Sequence, residues 1–334
     1  MKPLAVTQQF LELIRYKKVL VIGDVMIDQY LSGSVSRISP EAPVPIMMHQ
    51  DTTVLPGGAA NVALNLAGLG SEVWIASAVG DDDMGRKLIE LLNEKRINTD
   101  LLFSSAHRMT TCKTRIMAGK QHLLRVDQER RDAIQPELLE RLVDSLKKLM
   151  ETVPFDIAIL QDYNKGVLSG LSIKKFLKLL RDQDIPIAVD PKFEHFYDYQ
   201  GVDLFKPNLA ELRATLPFSV EITSESLSEA ARYLRTKLAC KSIMITLSDK
   251  GIFIDNGSEH HLLPAQKRLI ADVCGAGDTV ISVAALCLSA DLEPYTIAHW
   301  SGLSGTLVCQ YPGVKPVSRE MLLEFASVSV PKFG

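Results

Sequence analysis

From Pro136 to Leu247 the chain repeats one alternation, and that alternation restricts the possible folds more than any other feature. Stretches with helical spacing (Pro136 to Met150, Ser172 to Asp182, Leu209 to Leu216, Ser224 to Lys237) take turns with short apolar runs. The runs are Ile157 to Gln161, Ile187 to Val189, Leu204 to Lys206 and Ser242 to Leu247. Their length and β-branched content are those of buried strands. Strands joined through helices line up in parallel, and a parallel sheet needs helices on both faces. An α/β fold around a mainly parallel sheet is therefore predicted. Further strands are expected at Lys18 to Ile22 and Val73 to Val79. Helices are expected from Gly57-Gly58 through Leu69, capped by Gly70, and from Met84 to Lys95; Gly is the usual residue just past a helix end.

Two regions depart from this rhythm. Leu31 to Gln50 mixes small, polar and apolar residues around Pro40, Pro43 and Pro45. Thr111 to Met117 and Gln121 to Asp127 flank Ala118-Gly119-Lys120, which reads as a hairpin turn. Together they predict a small β lid at about residues 30–50 and 111–127.

Composition narrows the classes of function. A chain of 334 residues can bury one large core. Its net charge of -3 supplies no overall basic field for nucleic acid, so no nucleic-acid partner is expected. No stretch offers ~20 uninterrupted apolar residues, so no membrane span is expected. Met1 to Arg15 lacks the order of a signal peptide. The five cysteines (Cys112, Cys240, Cys274, Cys287, Cys309) form no CxxC pair and no zinc spacing. A reduced, cytoplasmic setting is expected.

The chemistry concentrates in Asp272-Val273-Cys274-Gly275-Ala276-Gly277-Asp278-Thr279, which leads into the apolar run Val280 to Leu288. Small residues let backbone N–H groups approach a ligand, and the start of a helix favours an anion there. Asp278 stands where a hydroxyl could approach that anion, as phosphoryl transfer to an alcohol requires. A plain N-cap is the competing reading, since Asp starts many helices. The helix terminus is also expected to lower the pKa of Asp278 and weaken it as a base. Polar groups recur at successive strand ends: Asp24 and Asp28, Asp162 and Lys165, Asp190 and Lys192, Asn208 and Glu211, Thr246 and Ser248. Ligands of such sheets bind beyond the C-terminal ends of strands, so these groups are expected to share one site.

These residues resemble the ribokinase-like (PfkB) carbohydrate kinases over roughly Lys18 to Lys315. Gly275-Ala276-Gly277-Asp278 is similar to that family's anion hole and catalytic base. Pro56-Gly57-Gly58-Ala59-Ala60-Asn61 is similar to its sugar-binding signature, and Asn208-Leu209-Ala210-Glu211 to its Asn-x-x-Glu element. The resemblance implies one kinase domain over 1–334, with ATP and Mg2+ as cofactors and Glu211 acting on the metal through water. It also places Thr246, Ser248 and Gly251 near the nucleotide. Gly23-Asp24-Val25-Met26-Ile27-Asp28, Ser36 to Pro45, Arg125-Val126-Asp127, Asp162-Tyr163-Asn164-Lys165-Gly166 and Asp190-Pro191-Lys192 are similar to one branch of the family. That branch phosphorylates the anomeric hydroxyl of D-glycero-β-D-manno-heptose 7-phosphate on the way to ADP-heptose, a lipopolysaccharide precursor.

By this resemblance Asp24, Asp28, Gly57, Gly58, Asn61, Asp127, Asp162 and Asp190 belong to the sugar site. Lys113, Arg125, Lys165 and Lys192 are candidates for a phosphate already on the sugar. A homodimer sharing the lid is expected, with a separate phosphatase and nucleotidyltransferase for later steps. Some positions differ from the family pattern: Cys274 for the usual Thr, Gly302 for Asn, and Gln310-Tyr311 and Val314 further on. Two other readings stay open at this point. One is a different ribokinase-like sugar kinase. The other is a binding protein that senses sugar or nucleotide without turnover.

Overall fold

The computed structural model describes residues 3–119, 121–266 and 268–329. The chain begins with α1 (Pro3–Leu13), β1 (Lys18–Gly23), β2 (Val25–Ile38), β3 (Pro45–Gly58), α2 (Ala59–Gly68), β4 (Glu72–Gly80) and α3 (Asp83–Glu94). It continues through β5 (Asn98–Ser105), β6 (Cys112–Ala118), β7 (Gln121–Gln128), α4 (Pro136–Met150), β8 (Ile157–Gln161), α5 (Gly170–Arg181) and β9 (Ile187–Asp190). Next come β10 (Leu204–Phe205), α6 (Leu209–Thr215), α7 (Ser224–Leu238), β11 (Ser242–Thr246), β12 (Ile252–Asp255) and β13 (His260–Leu263). The last elements are α8 (Ala276–Ser289), α9 (Pro294–Val308) and α10 (Arg319–Ser329).

A nine-stranded sheet runs in the order β13-β12-β11-β10-β9-β8-β1-β4-β5. Its strands are parallel from β11 to β5, and β12 and β13 add an antiparallel edge. Helices cover both faces because successive side chains of a strand point opposite ways. Val19 and Val21 of β1 enter one core, with α2, α8 and α9, while Leu20 and Ile22 enter the other, with α4, α5 and α7. The expected strands and helices between Pro136 and Thr246 fall within two residues of their observed limits.

The lid is larger than its sequence suggests. β2 and β3 are 14 residues each and pair antiparallel from Val25–Gly58 out to Ile38–Pro45. Gly57 and Gly58 therefore end a strand, and the helix opens only at Ala59. Gly58 turns the chain at φ +59, and the Ala59 N–H donates to the Asp24 carbonyl. β6 pairs parallel with β2 and antiparallel with β7, which completes a four-stranded sheet. Lys120 of the expected turn lies outside the described residues. β5, β12, β13 and the flanking helices α1 and α10 have no counterpart in the sequence reading.

Candidate active site

The strand ends, the lid and the start of α8 meet around one carboxylate. Asp278 lies in the first turn of α8, behind Gly275, whose φ of +77 is left-handed. A Cβ at Gly275 would stand 2.8 Å from Asn61 Nδ2, so only glycine allows this approach. A Cβ at Gly277 would find only Lys206 Nζ, at 3.9 Å, among the described residues. This leaves room for an anion over the N–H groups of Gly275 and Gly277, with the Lys206 ammonium at hand, while the Ala276 N–H donates to the Val273 carbonyl at 3.3 Å.

Asp278 is buried and fully held. Its Oδ2 accepts from Asn61 Nδ2 at 2.7 Å. Its Oδ1 accepts from the Tyr163 hydroxyl at 2.7 Å and more weakly from Gln161 Nε2 at 3.4 Å. Burial pushes its pKa up to about 6; Asn61 and Tyr163 pull it down, Asp190 raises it and Lys206 lowers it. The expected lowering by the helix terminus is therefore corrected. Desolvation of a charge outweighs a half-charge dipole, and the result is a better base.

Beyond it, a polar chain crosses the strand ends. Asp190 pairs with Lys206 Nζ at 3.0 Å and accepts from Gln161 Nε2 at 3.1 Å. Lys192 Nζ donates to Glu211 Oε1 at 2.5 Å and lies 5.4 Å from the centre of the Tyr163 ring. Burial lowers the Lys192 pKa, but Asp190 and Glu211 outweigh it and the net direction is upward. Lys192 thus belongs beside Glu211, apart from the other candidate phosphate cations. Glu211 and Asn208 form a capping box: Asn208 Oδ1 accepts from the Glu211 N–H, and Glu211 Oε2 from the Asn208 N–H, both at 2.9 Å. Leu209 and Ala210 supply the first turn between them. Thr246 bridges Asn208 across the sheet. Ser248 is exposed in the turn that Gly251 closes, where a Cβ would stand 1.9 Å from the Leu263 carbonyl oxygen.

Three residues expected to touch sugar are committed elsewhere. Asp24, 1% exposed, accepts from the N–H groups of Tyr163, Lys165 and Val167 at 2.8, 3.0 and 2.9 Å. It fastens the loop after β8. Burial raises its pKa in spite of those three donors. Asp162 has no exposure; it accepts from the Asn164 N–H and the Tyr199 hydroxyl, and burial with Asp24 nearby pushes its pKa up to about 6. Asn61 serves Asp278, and Asn65 donates back to it. In each case a buried polar group is satisfied by protein partners, which is what burial demands.

One face of the lid supplies the remaining groups. Asp28, Lys113 and Asp127 sit opposite one another across β2, β6 and β7, and Tyr30, Arg115 and Arg125 form the next row. Directly opposed side chains share a face. Asp28 pairs with the buried Arg115, and Gly57 leaves it space, since a Cβ there would stand 2.1 Å from Asp28 Oδ2. Lys113 lies 3.5 Å from Asp127 and 3.7 Å from Glu129, and Lys165 pairs with Glu129 at 2.8 Å. Arg125 joins Asp127 at 2.9 Å on the exposed rim. Of the four candidate phosphate cations, Lys113 and Lys165 come together, Arg125 borders them and Lys192 stands apart.

Sequence reasoning missed Tyr163, Gln161, Lys206, Arg115 and Glu129. Tyr163 lies inside the quoted motif Asp162 to Gly166 and Lys206 ends the expected strand Leu204 to Lys206, and that strand-end position is the available signal. Cys274 is no nucleophile: burial, then Asp272, pushes its thiol pKa up to about 11. Val314 packs against the Gly275 turn, Gly302 lies inside α9, and the Gln310 side-chain nitrogen is buried without a hydrogen-bond partner among the described residues.

A family model described as pfkB family carbohydrate kinase matches residues 16–320. The chain is 37% identical over 316 residues to the bifunctional protein HldE of Koribacter versatilis, covering 94% of this chain and 64% of that protein. It thus spans just under two thirds of the bifunctional relatives it matches. It is 35% identical over 309 residues to the D-beta-D-heptose 7-phosphate kinase of Bordetella bronchiseptica, covering 92% of this chain and 95% of that one. In fold it is similar to phosphofructokinase-2 of Escherichia coli, with a TM-score of 0.78 at 16% identity over 93% and 98% of the two chains. Ribokinase of Arabidopsis thaliana gives a TM-score of 0.72 at 17% identity over 94% and 100%.

Proposed function

The chain belongs to the pfkB carbohydrate kinase family, and from that premise we propose that it transfers the γ-phosphoryl group of ATP to the anomeric hydroxyl of a heptose 7-phosphate, giving the 1,7-bisphosphate. The observation that carries the reading is Asp278, a buried carboxylate with a pKa near 6 beside a glycine-lined anion cradle. Heptose 7-phosphate as acceptor is supported by the likeness to a kinase of that name along nearly its whole length.

In this reading the acceptor hydroxyl donates to Asp278. As its oxygen bonds to the γ-phosphorus, the bond to the ADP oxygen breaks and the proton passes to the carboxylate. The N–H groups of Gly275 and Gly277, with Lys206, stabilise the charge on the phosphoryl oxygens, joined by that of Ala276 once it leaves the Val273 carbonyl. Thr246, Ser248 and Gly251 border the nucleotide, and Asn208 to Glu211 stand beside its phosphates. Mg2+ would neutralise phosphate charge when bound. Both Glu211 oxygens already have partners, and no cluster of three acidic, His or Cys residues suited to a metal exists among the described residues. Glu211 therefore serves the metal only through water, a mode Mg2+ favours.

The lid holds the sugar phosphate. Asp28 and Asp190 are the remaining carboxylates for hydroxyl groups, and Lys113, Lys165 and Arg125 take the 7-phosphate after Glu129 and Asp127 give way. Exposed Ile38, Met48, Leu124 and Val126 on the lid support a homodimer built through it. A cytoplasmic location fits the use of ATP. Hydrolysis of one phosphate and adenylyl transfer, the steps toward ADP-heptose, need other active sites.

The test is turnover with ATP across a panel of sugar phosphates, with the product read by phosphorus NMR. A new anomeric phosphate on heptose 7-phosphate is expected. Transfer to another position, or preference for a different sugar, would overturn the reading.

A further inference from the structure

We propose that Tyr163 is the positioning residue of the reaction: its hydroxyl holds Asp278 Oδ1, keeps the carboxylate aimed at the acceptor and keeps it ionised at working pH. The proposal rests on Asp278 being the base. The donor lies 2.7 Å from Oδ1, matching the Asn61 amide at 2.7 Å on Oδ2. With both oxygens bonded from opposite sides the carboxylate cannot rotate. Oδ1 also takes the weaker Gln161 bond at 3.4 Å, while Oδ2 accepts from Asn61 and keeps a second lone pair, so the sugar hydroxyl has an acceptor at Oδ2 without displacing Tyr163.

The ring is itself immobilised. Its backbone N–H donates to Asp24 at 2.8 Å, and Lys192 Nζ lies 5.4 Å from the ring centre. Burial, with Asp278 and Asp190 close by, raises the phenol pKa well above its ordinary value. The group is therefore a donor throughout the working range and no alternative base. The groups that act on Asp278 come from every side: Asn61 of α2, Gln161 of β8, Asp190 of β9, Lys206 after β10, and the Lys192 ammonium. Of the side-chain donors to Asp278 among the described residues, Asn61, Gln161 and Tyr163, only Tyr163 arrives on a loop, and that loop also carries Lys165 of the sugar-phosphate set. Phosphate binding and base alignment thus share one segment, held by Asp24.

A bond donated to a charged group favours its charged form. In Tyr163→Phe the acid limb of the kcat/KM profile should move up by about one pH unit, roughly tenfold in rate on its acid side. Activity should recover at higher pH, where the base is ionised without help. Incorporation of 3-fluorotyrosine at position 163 makes a stronger donor of nearly the same shape and should move the limb the other way. An acid limb left where it stands in wild type by a folded Tyr163→Phe, or by the fluorotyrosine protein should Tyr163→Phe not fold, overturns the proposal. Asp278→Asn separates the two readings: if it stays active the base assignment falls, and if it is inactive while the limb does not move, only the role of Tyr163 falls.

Discussion

Truncation of Asp24 to Ala should cost stability first and substrate affinity only as a consequence. Its carboxylate is the acceptor for three backbone N–H groups, at 2.8 to 3.0 Å, in a position 1% exposed. Each stranded donor costs about 1–3 kcal/mol, so the simple sum is about 3–9 kcal/mol. Two effects favour the low end. The variant sheds a charge that burial disfavours, and the loop can shift to bring its N–H groups to water. A loss of about 3 kcal/mol is the working figure. At roughly 2.1 cal/mol/K per residue, 334 residues lose about 0.7 kcal/mol of stability per degree near the midpoint, so Tm should fall by about 4 °C. Because the same loop carries Tyr163 and Lys165, kcat should fall as well. Asp24→Asn, which keeps one acceptor oxygen, should lie between. The assay is a calorimetric scan beside kcat and KM. An unchanged Tm with a rise in KM alone would refute the clamp and restore Asp24 as a sugar ligand.

Asp278→Asn should lower kcat by about 10²–10⁴-fold, as loss of a general base commonly does, with ATP binding by titration calorimetry largely kept; near-normal turnover would remove it as base. In wild type, kcat/KM should fall about tenfold per unit below pH ~6, because the protonated carboxylate accepts no proton and its pKa is raised to about 6. An acid limb near pH 4 would contradict that environment. Lys113→Gln and Lys165→Gln should weaken heptose 7-phosphate far more than free heptose, since a phosphate loses a charged partner and a hydroxyl does not. Lys192→Gln should instead raise the KM for ATP; an effect confined to the sugar phosphate would return Lys192 to the lid set.

The βα rhythm from Pro136 to Thr246, the anion cradle and its carboxylate were legible in the sequence because they rest on local rules. Apolar spacing sets strand and helix, and a glycine turn before an apolar run sets a helix start. The order of the motifs also carried the family. The length of β2 and β3 was not legible. Both leave the core and run out as a lid, so their apolar pattern fades while the backbone pairing continues. The edge strands β12 and β13 were hidden for a related reason: short strands depend on partners, and sequence spacing does not record partners. Side-chain roles divided along the same line. Residue type and strand-end position marked Asp24, Asp28 and Asp162 as polar groups of one region, the glycine turn at a helix start marked Asp278, and the family signature marked Asn61. Only the fold decided that Asp24 fastens a loop, Asp162 meets Tyr199, Asn61 steadies Asp278 and Lys192 neutralises Glu211. The pKa of Asp278 was decided there too, since a dipole can be read from a helix start but desolvation is the sum of everything packed around a charge, and the residues that exclude water from Asp278 come from α2, β8, β9 and a loop far apart in the chain.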